Sequence, residues 1–169
     1  MKFQSLKTSK LNKKKIHQIL ALKDSHWTFG NKSQLNWFKK KINKNDIHNL
    51  MLCKSDVVGY TFLGKRTVKV YNFKKKPKII NYTLFETLIL KEKYRNISYA
   101  RQMMRFNLKT ISKLKKPSFL LCKKNKLNFY KYFGWTKLRK KDFSLPDHKS
   151  NLNGLTYNLK YNKKNTYKF

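Results

Sequence analysis

An apolar strand that runs through a short polar turn directly into a helix is the feature that most constrains the fold of this chain. The strand ends at residues 88–90, a polar run begins at Lys91, and helical residues follow from Ser98. Such a turn points several backbone N–H groups at one spot, with the positive end of the helix dipole behind them. With Arg95 at its edge, the segment predicts a site for a pyrophosphate, although it lacks the glycines that phosphate-binding turns usually carry.

A second block, at residues 127–135, reads as an aromatic-rich helix that ends at a glycine and is followed by a new strand. The two blocks together resemble the GCN5-related N-acetyltransferase (GNAT) superfamily, whose acetyl-CoA loop reads Arg/Gln-x-x-Gly-x-Gly/Ala and whose last helix ends Tyr-x-x-x-Gly-Phe. The loop here reads Arg-Asn-Ile-Ser-Tyr-Ala from Arg95 to Ala100, and the helix end reads Tyr-Lys-Tyr-Phe-Gly-Trp from Tyr130. Ser98 stands where the family usually has glycine, and a serine keeps the backbone N–H that the loop needs.

The resemblance extends over residues 2–161 and implies both the fold and the cofactor. The fold is α/β, with a GNAT-like mixed, mostly antiparallel central sheet flanked by helices on both faces. The cofactor is acetyl-CoA: its pantetheine arm would pair with the backbone of residues 88–90 like an added strand, and a backbone N–H near Leu88 would polarise its thioester carbonyl. The cofactor-binding residues implied in this way are Leu88, Ile89, Leu90, Arg95, Asn96, Ile97, Ser98, Tyr99, Ala100, Arg101, Asn125 and Phe129.

Glu86 is the candidate general base. It is one of two glutamates in the chain and lies in an otherwise apolar strand, where a carboxylate carries a desolvation cost. A glutamate that faces solvent or pairs with a lysine is the alternative. Acetyl transfer needs a group that takes a proton, because a primary amine with a pKa of about 10 is almost fully protonated at pH 7. In many GNAT enzymes an acidic residue of this strand has that role, and Glu86 matches its position.

Tyr130 is the candidate general acid. It precedes Gly134 by the same spacing as the family's general-acid tyrosine, and its hydroxyl suits protonation of the CoA thiolate. Packing is the alternative for an aromatic residue in a short helix, and for Tyr132 it is the interpretation we prefer. The resemblance therefore implies an acyltransferase that works by direct attack of the amine on acetyl-CoA.

The acceptor site is expected at the loop between the first two helices and at the connector before the long strand, which commonly form its walls in this fold. This expectation nominates Trp27, Phe29 and the region 67–78, although Trp27 is equally suited to anchor its loop in the core. The layout resembles aminoglycoside acetyltransferases, but a chain with 42 Lys and Arg, 7 Asp and Glu and a formal net charge of +35 repels a polycation. An anionic acceptor such as a nucleotide-linked amino sugar fits better. The expected acceptor is thus the primary amine of a small molecule, possibly an amino sugar or a nucleotide-linked sugar.

The same charge supports other classes of function. A field this strong attracts polyanions, so a nucleic-acid-binding module is one alternative, with phosphate contacts and counterion release driving affinity. The lysines are spread along the whole chain, which is also the pattern of a general compositional bias. A catalytically degenerate GNAT that binds CoA without chemistry is a further alternative.

Length and cysteine content bound the organisation of the chain. Its 169 residues, 40% of them hydrophobic, predict a single GNAT-like domain over residues 1–161 and a basic C-terminal tail over residues 162–169. Cys53 and Cys122 form no C-x-x-C pair and the histidines lack metal-ligand spacing, so neither a disulfide framework nor a metal site is expected. No apolar run approaches the length of about 20 residues that spans a bilayer, and we expect a cytoplasmic monomer or homodimer with no membrane partner.

Hydrophobic spacing predicts the remaining elements. Ser33 is the expected N-cap of a second helix, with Leu35, Phe38 and Ile42 on one face. Other helices are expected over residues 9–24, 98–114 and 125–133, and strands over residues 3–6, 46–53, 57–64, 80–90, 118–122, 135–138 and 155–160.

Overall fold

Helices separate runs of strands along the chain. The computed structural model describes residues 1–72, 75–145 and 151–169. The strands are β1 (Lys2–Lys7), β2 (Ile47–Cys53), β3 (Asp56–Asn72), β4 (Lys75–Leu90), β5 (Ser118–Cys122), β6 (Thr136–Lys137), β7 (Phe143–Ser144), β8 (Asn153–Tyr157) and β9 (Asn165–Lys168). The α-helices are α1 (Lys13–Asp24), α2 (Asn31–Lys41), α3 (Ile97–Leu114) and α4 (Leu127–Tyr132).

These elements are divided between two units. The first unit comprises Met1–Gly64 and Glu86–Thr110, and the second comprises Lys65–Phe85 and Ile111–Phe169. The long strands β3 and β4 and the helix α3 therefore contribute residues to both units.

The first unit is built on the strand order β1, β2, β3, β4. β1 pairs antiparallel with β2, and β2 pairs antiparallel with β3, with Met51 opposite Gly59. A Cβ atom on Gly59 would lie 2.7 Å from Leu90 Cδ2 and 3.0 Å from Met51 Cβ. The absence of a side chain at Gly59 thus leaves room for the Leu90 side chain. Through Leu90, the end of β4 packs into the core of the first unit.

Hydrogen-bonded polar side chains connect the helix α3 to the strands of the first unit. Asn49 Nδ2 donates to Asn107 Oδ1 over 2.7 Å, and Asn107 Nδ2 donates to Thr61 Oγ1 over 3.0 Å. His48 is fully buried, and its Nδ1 lies 2.9 Å from the Tyr60 hydroxyl. Burial lowers the pKa of His48 to about 4, so the ring is neutral at pH 7. Each of these buried polar groups has a partner, as buried polar groups require.

The second unit has the strand order β4, β5, β8, β6. β4 and β5 are parallel, with Thr83 opposite Ser118 and Leu84 opposite Phe119. β8 pairs antiparallel with both β5 and β6, and β9 pairs antiparallel with β3 and parallel with β7. Most strand pairs are therefore antiparallel, and the predicted mixed α/β fold is confirmed. Within the described ranges, none of the helices combines the length and apolar character needed to cross a membrane.

The start of α2 differs from the prediction. Gly30, with a φ of +81°, occupies the N-cap position, and Ser33 lies inside the first turn. The Gly30 N–H donates to Asp24 Oδ1 over 2.7 Å, which fixes where the helix begins. The buried residues of α2 are Gln34 and Phe38, whereas Leu35 is 38% exposed. The prediction that Leu35 lies on the buried face with Phe38 is therefore wrong.

The strands β3 and β4 are longer than predicted, and the C-terminal residues are paired. β3 continues to Asn72 because Val68 is buried while Lys69 is exposed, an alternation of period two that the basic residues obscure in the sequence. Residues 165–168, expected to belong to a tail, form β9 with Tyr167 only 1% exposed. The expectation of a tail is wrong at these residues, because Tyr167 packs in the core cluster of the second unit.

Candidate active site

The strand β4 changes its backbone conformation immediately after Glu86. Thr87 has a φ of +65°, in the left-handed region, which is rare for a β-branched residue. Ile89 and Leu90 beyond it are 3% and 7% exposed, so their side chains belong to the core. A positive φ inside a strand re-aims the neighbouring N–H and C=O groups, and such outliers concentrate at binding sites. Nothing in the sequence pointed to this conformation, since threonine favours regular strands.

The side chain of Glu86 is exposed, so the expectation of a desolvated carboxylate is wrong. Successive strand residues point to opposite faces, and the buried side chain is that of the preceding residue, Phe85. The charge of Glu86 nevertheless acts on two buried groups of the first unit. Burial lowers the pKa of Lys23, and the charge of Glu86 opposes this shift. Burial raises the pKa of Tyr60, and the charge of Glu86 adds a smaller increase. The carboxylate therefore lies within electrostatic reach of α1 and β3.

Lys23 is buried between two tryptophans. The residue is 5% exposed, and its Nζ lies 3.0 Å from the centroid of the Trp37 ring and 5.7 Å from that of Trp27. Burial lowers the pKa of the Lys23 ammonium to about 8, and the negative charge of Glu86 opposes this shift. Neither Lys23 nor Trp37 is among the site residues predicted from the sequence. The signal that could have identified Lys23 is its helical spacing from Ile19, which places a cation on the apolar face of α1.

The two nominated acceptor residues occupy different environments. Trp27 is half-buried beside Lys23, with its ring edge-on to His26 at a centroid distance of 4.5 Å. Phe29, in the same loop, is 69% exposed. Within the nominated region 67–78, Phe73 and Lys74 lie outside the described residues, and the others belong to β3 and β4 in the second unit. Of the nominated residues in the first unit, Trp27 contacts Lys23.

The turn before α3 uses most of its own backbone N–H groups. Those of Arg95 and Asn96 donate to carbonyl oxygens within the turn, over 2.9 Å each. Asn96 then caps α3, because its Oδ1 accepts from the Tyr99 N–H over 2.9 Å and its C=O accepts from the Ala100 N–H over 3.1 Å. The prediction that all the amides of residues 95–100 are available to a pyrophosphate is therefore wrong.

Two amides at the start of α3 remain available. Ile97 and Ser98 are the first two helical residues, and within the described part of the chain their N–H groups have no acceptor. Ile97 is 57% exposed and Ser98 is also exposed, so solvent reaches both positions. α3 is 18 residues long, and the positive end of its dipole lies at these amides. The amides that an anion could contact here are thus fewer than predicted.

Arg95 binds the end of β4. Its Nε donates to the C=O of Leu90 over 3.2 Å, and its Nη2 lies 3.3 Å from His26 Nδ1. The guanidinium was expected at the edge of an anion site, and the structure shows it joining β4 to the loop after α1. Arg101 lies exposed in the first turns of α3.

Tyr130 is half-buried among aromatic rings of the second unit. Its ring centroid lies 6.1 Å from that of Phe85 and 6.3 Å from that of Trp135, with edge-on geometry in both pairs. Burial raises the pKa of the Tyr130 hydroxyl well above its usual value, with a smaller contribution from Cys122. The phenol therefore keeps its proton at neutral pH and can act as a hydrogen-bond donor.

The helix that carries Tyr130 ends as the sequence predicts. Gly134 has a φ of +82°, and its N–H donates to the C=O of Lys131 over 2.9 Å. Asn125 is exposed in the short 3-10 turn before α4, and Phe129 is half-buried in the helix itself. Tyr132 is 64% exposed, so the expectation that it packs in the core is wrong.

Three solved structures share this arrangement of elements. An acyl-CoA N-acyltransferase from Pseudomonas aeruginosa is 11% identical, with a TM-score of 0.69 over 92% of this chain and 97% of that protein. Escherichia coli ElaA is 17% identical, with a TM-score of 0.68 over 92% of this chain and 99% of that protein. The GNAT family N-acetyltransferase YhbS from Escherichia coli, in complex with CoA, is 15% identical, with a TM-score of 0.58 over 90% of this chain and 79% of that protein. No family model matches the sequence, and no curated protein matches it significantly.

This chain has the GNAT fold. Within the GNAT fold of this chain, the loop motif at residues 95–100 joins β4 to α3, and the Tyr130 motif closes α4. The first unit brings Glu86, Lys23 and the two tryptophans together and also contains the start of α3. Tyr130 belongs to the second unit, as do Asn125 and Phe129.

Proposed function

We propose that this chain is an acetyl-CoA-dependent N-acetyltransferase of the GNAT superfamily, which transfers the acetyl group directly to the primary amine of a small molecule. Glu86 is the general base and Tyr130 is the general acid. The observation that carries the proposal is the left-handed Thr87 between an exposed carboxylate and the buried end of β4. The CoA seen in YhbS supports the choice of cofactor.

The kinked end of β4 supports binding of an acetylated pantetheine arm. The side chains of Ile89 and Leu90 are committed to the core, so the backbone from Leu88 onward is the part that can pair with an extended ligand. The conformation of Thr87 re-aims the peptide groups beside it, which suits an N–H that hydrogen-bonds a thioester oxygen. Since Leu90 C=O already accepts from Arg95, the pairing is proposed for Leu88 and Ile89.

The start of α3 supports binding of the pyrophosphate. The exposed N–H groups of Ile97 and Ser98 lie at the positive end of an 18-residue helix, which is a favourable position for an anion. Ser98 supplies the same backbone N–H that a glycine would. The residues present therefore fit a pyrophosphate, although they offer it the two amides of Ile97 and Ser98 and not all those of residues 95–100.

Glu86 is suited to receive the proton of the acceptor amine. An acceptor enters as an ammonium ion, which attracts a carboxylate, and it must lose a proton before its nitrogen can attack. The exposure of Glu86 allows direct contact or contact through one water and then release of the proton to solvent. Acetyl-CoA supplies an activated thioester, whose C–S bond breaks as the new C–N bond forms.

Tyr130 is suited to donate a proton to the leaving sulfur. Because burial raises its pKa, the hydroxyl is fully protonated before the reaction. A thiolate is a strong enough acceptor to take a hydrogen bond from such a phenol as charge develops. Phe85 and Trp135 hold the ring edge-on, which limits its motion.

We expect the acceptor to carry an anionic group, such as a phosphate or carboxylate. The formal net charge of +35 attracts anions and repels polycations such as aminoglycosides. Lys23 adds a cation within electrostatic reach of Glu86, and Trp27 offers a half-buried ring in the same cluster for a planar or sugar moiety. An amino sugar phosphate or a nucleotide-linked amino sugar meets these requirements.

The decisive test compares the only two glutamates of the chain. Glu86→Gln is expected to lower kcat by about 100-fold or more, the usual contribution of a general base, without changing the affinity for acetyl-CoA. Glu92→Gln carries the same charge change in the exposed turn after β4 and is expected to retain activity. Release of free CoA thiol is measured with a panel of anionic, neutral and polycationic amines. Equal rates for the two variants would remove Glu86 from the mechanism.

A thermal shift experiment separates the enzyme from a degenerate binder. Acetyl-CoA is expected to raise Tm by mass action, at 0.15 M and at 0.5 M salt, whereas inorganic tripolyphosphate, an unrelated polyanion, should lose its effect at the higher salt. Stabilisation by acetyl-CoA without acetyl transfer to any amine would favour a CoA-binding protein without chemistry. Equal shifts from both ligands at both salt concentrations would mean that charge alone explains the binding.

A further inference from the structure

The outer face of the β3–β9 strand pair carries an unusual arrangement of lysines. Lys69 of β3 lies directly opposite Lys168 of β9, and both residues are exposed. Like charges at directly opposed positions of an antiparallel pair destabilise it, because their Cβ atoms are only about 5 Å apart. The inward residues of the same pair, Val70 and Tyr167, pack together in the core, so the register that opposes the lysines is fixed by burial.

Compensating negative charge is scarce in this unit. Of the seven acidic residues of the chain, the second unit contains Asp142 and Asp147, and Asp147 lies outside the described residues. Asp142 is 4% exposed and accepts hydrogen bonds from Arg139 Nε over 2.6 Å and Arg139 Nη2 over 2.9 Å. It is therefore committed to Arg139, and among the described residues neither Lys69 nor Lys168 forms an ion pair with an acidic side chain.

An aromatic ring adjoins the opposed lysines on the same face. Tyr71 is two residues from Lys69 along β3, so the two side chains project from the same face of the sheet. The Lys168 Nζ lies 4.6 Å from the centroid of the Tyr71 ring. Tyr71 is only half-buried, and Thr166, opposite it in β9, has a small side chain. The ammonium thus lies over the face of the ring. A base that stacks on this face takes the place of the ammonium, which then binds a phosphate, and a ring beside cations is the combination that binds a nucleobase together with its phosphates.

We propose that this face, defined by Lys69, Tyr71, Thr166 and Lys168, binds single-stranded nucleic acid. The two lysines neutralise consecutive phosphates, and the Tyr71 ring stacks on a base. Single strands fit better than a duplex because a duplex keeps its bases stacked within the helix and away from the ring. This binding is a second property of the chain. All four residues lie in β3 and β9, and none belongs to the proposed catalytic or cofactor site, although Lys69 and Tyr71 fall within the region 67–78 that was nominated for the acceptor.

The test uses fluorescein-labelled 15-nucleotide strands of mixed sequence, as DNA and as RNA, with the corresponding DNA duplex as a comparison. Fluorescence anisotropy gives Kd for the full chain from 0.05 to 0.3 M NaCl. Lys69→Gln/Lys168→Gln is expected to weaken single-strand binding about tenfold at 0.1 M salt and to reduce the slope of log K against log salt by about 1.4, or 0.7 per phosphate contact. Tyr71→Leu, which keeps an apolar side chain, is expected to weaken binding about tenfold through lost stacking.

The matched control removes two neighbouring lysines elsewhere. Lys109→Gln/Lys113→Gln eliminates the same charge from two exposed positions one turn apart on α3 and is expected to change Kd by less than twofold. Circular dichroism melting verifies that each variant is folded, and the acetyl-CoA thermal shift is recorded on the same samples. Equal weakening by the two double variants would overturn the proposal, since general charge would then explain the binding. Equal affinity for the duplex, or no effect of Tyr71→Leu in a folded protein, would also overturn it, and similar affinities for DNA and RNA would be consistent with it.

Discussion

Lys23 shows how a single buried cation can shape the proposed active site. An ammonium ion loses hydration free energy when it is buried, and cation–π attraction to the two tryptophan rings compensates for part of this loss. The charge of Glu86 compensates for a further part of the lost hydration free energy, because it favours the protonated lysine. The reciprocal effect follows by linkage: a protonated Lys23 favours ionised Glu86, which is the form that a general base needs.

The coupling between Lys23 and Glu86 predicts a shift that can be measured directly. Titration of ¹³C-labelled lysine ε-carbons by NMR should show one resonance with a pKa of about 8, and this resonance should be absent from Lys23→Arg. In Glu86→Gln the pKa of Lys23 should fall further, because the opposing negative charge is removed. In Glu92→Gln it should not change. A titration of Lys23 that is insensitive to Glu86→Gln would contradict the electrostatic contact.

The same lysine gives stability a defined pH dependence. Its pKa is about 8 in the folded chain and 10.5 in the unfolded chain, so between these values the unfolded state binds more protons. Stability therefore rises as the pH increases from about 8 to 10.5, and Lys23 contributes no further change below that window. Urea unfolding at pH 8 and pH 9.5 should show a contribution in this direction that is missing from Lys23→Met.

At the scale of single elements, the position of the end of β4 depends on the absence of a side chain at Gly59. A Cβ at that position would lie 2.7 Å from Leu90 Cδ2, closer than real atoms pack, so Gly59→Ala must displace Leu90 or β3 itself. We expect Gly59→Ala to lower the free energy of unfolding by about 1–3 kcal/mol, the usual cost of overpacking. It should also weaken the acetyl-CoA thermal shift, because the proposed cofactor strand is the one displaced.

A double variant separates this contact from a general effect of the mutation. Leu90→Val shortens the side chain that an alanine at position 59 would meet, so Gly59→Ala/Leu90→Val should be more stable than the sum of the two single changes, by about 1 kcal/mol. Gly30→Ala is the contrasting control, because nothing lies within 4 Å of its Cβ position and its cost comes only from the positive φ. Strict additivity in urea unfolding would show that Leu90 is not the obstructing group.

The elements that were predicted correctly are those whose boundaries are set by local signals. β5 was placed at residues 118–122 because an apolar run follows Pro117 directly, and α4 ends where Gly134 supplies a positive φ. The number of amides available to an anion at α3 was overestimated. An asparagine at the start of a helix both fixes the first turn and occupies its amides, and the sequence does not show which of these amides Asn96 takes.

The features that escaped prediction depend on tertiary contacts. Nothing local distinguishes Thr87 from a regular strand residue, since threonine favours strands, and yet its φ is positive. Lys23 is a candidate functional residue because Trp37, in a different helix, lies beside it. β9 was missed because its basic flanking residues resemble a tail, and its strand character comes from pairing with β3 and β7.

At the scale of the whole molecule, the net charge of +35 must affect stability as well as binding. Folding brings like charges closer together than they are in the unfolded chain, and self-repulsion therefore opposes the compact state. The opposed pair of Lys69 and Lys168 is a local instance of this effect. For most proteins screening by salt weakens favourable and unfavourable surface interactions alike, but here the excess of cations makes repulsion the dominant contribution.

Salt should therefore stabilise this chain. Raising NaCl from 0.02 to 0.5 M shortens the screening length from roughly 20 Å to about 4 Å, and we expect Tm to rise by about 5 °C, equivalent to about 1–2 kcal/mol for a chain of this size. Calorimetry of the unmodified chain and of Lys69→Gln/Lys168→Gln measures the effect, and the double variant should start from a higher Tm at low salt and gain less on screening. A Tm that falls with added salt would mean that favourable ion pairs outweigh the repulsion, and the surface lysines would then have to be neutralised by partners within the folded chain.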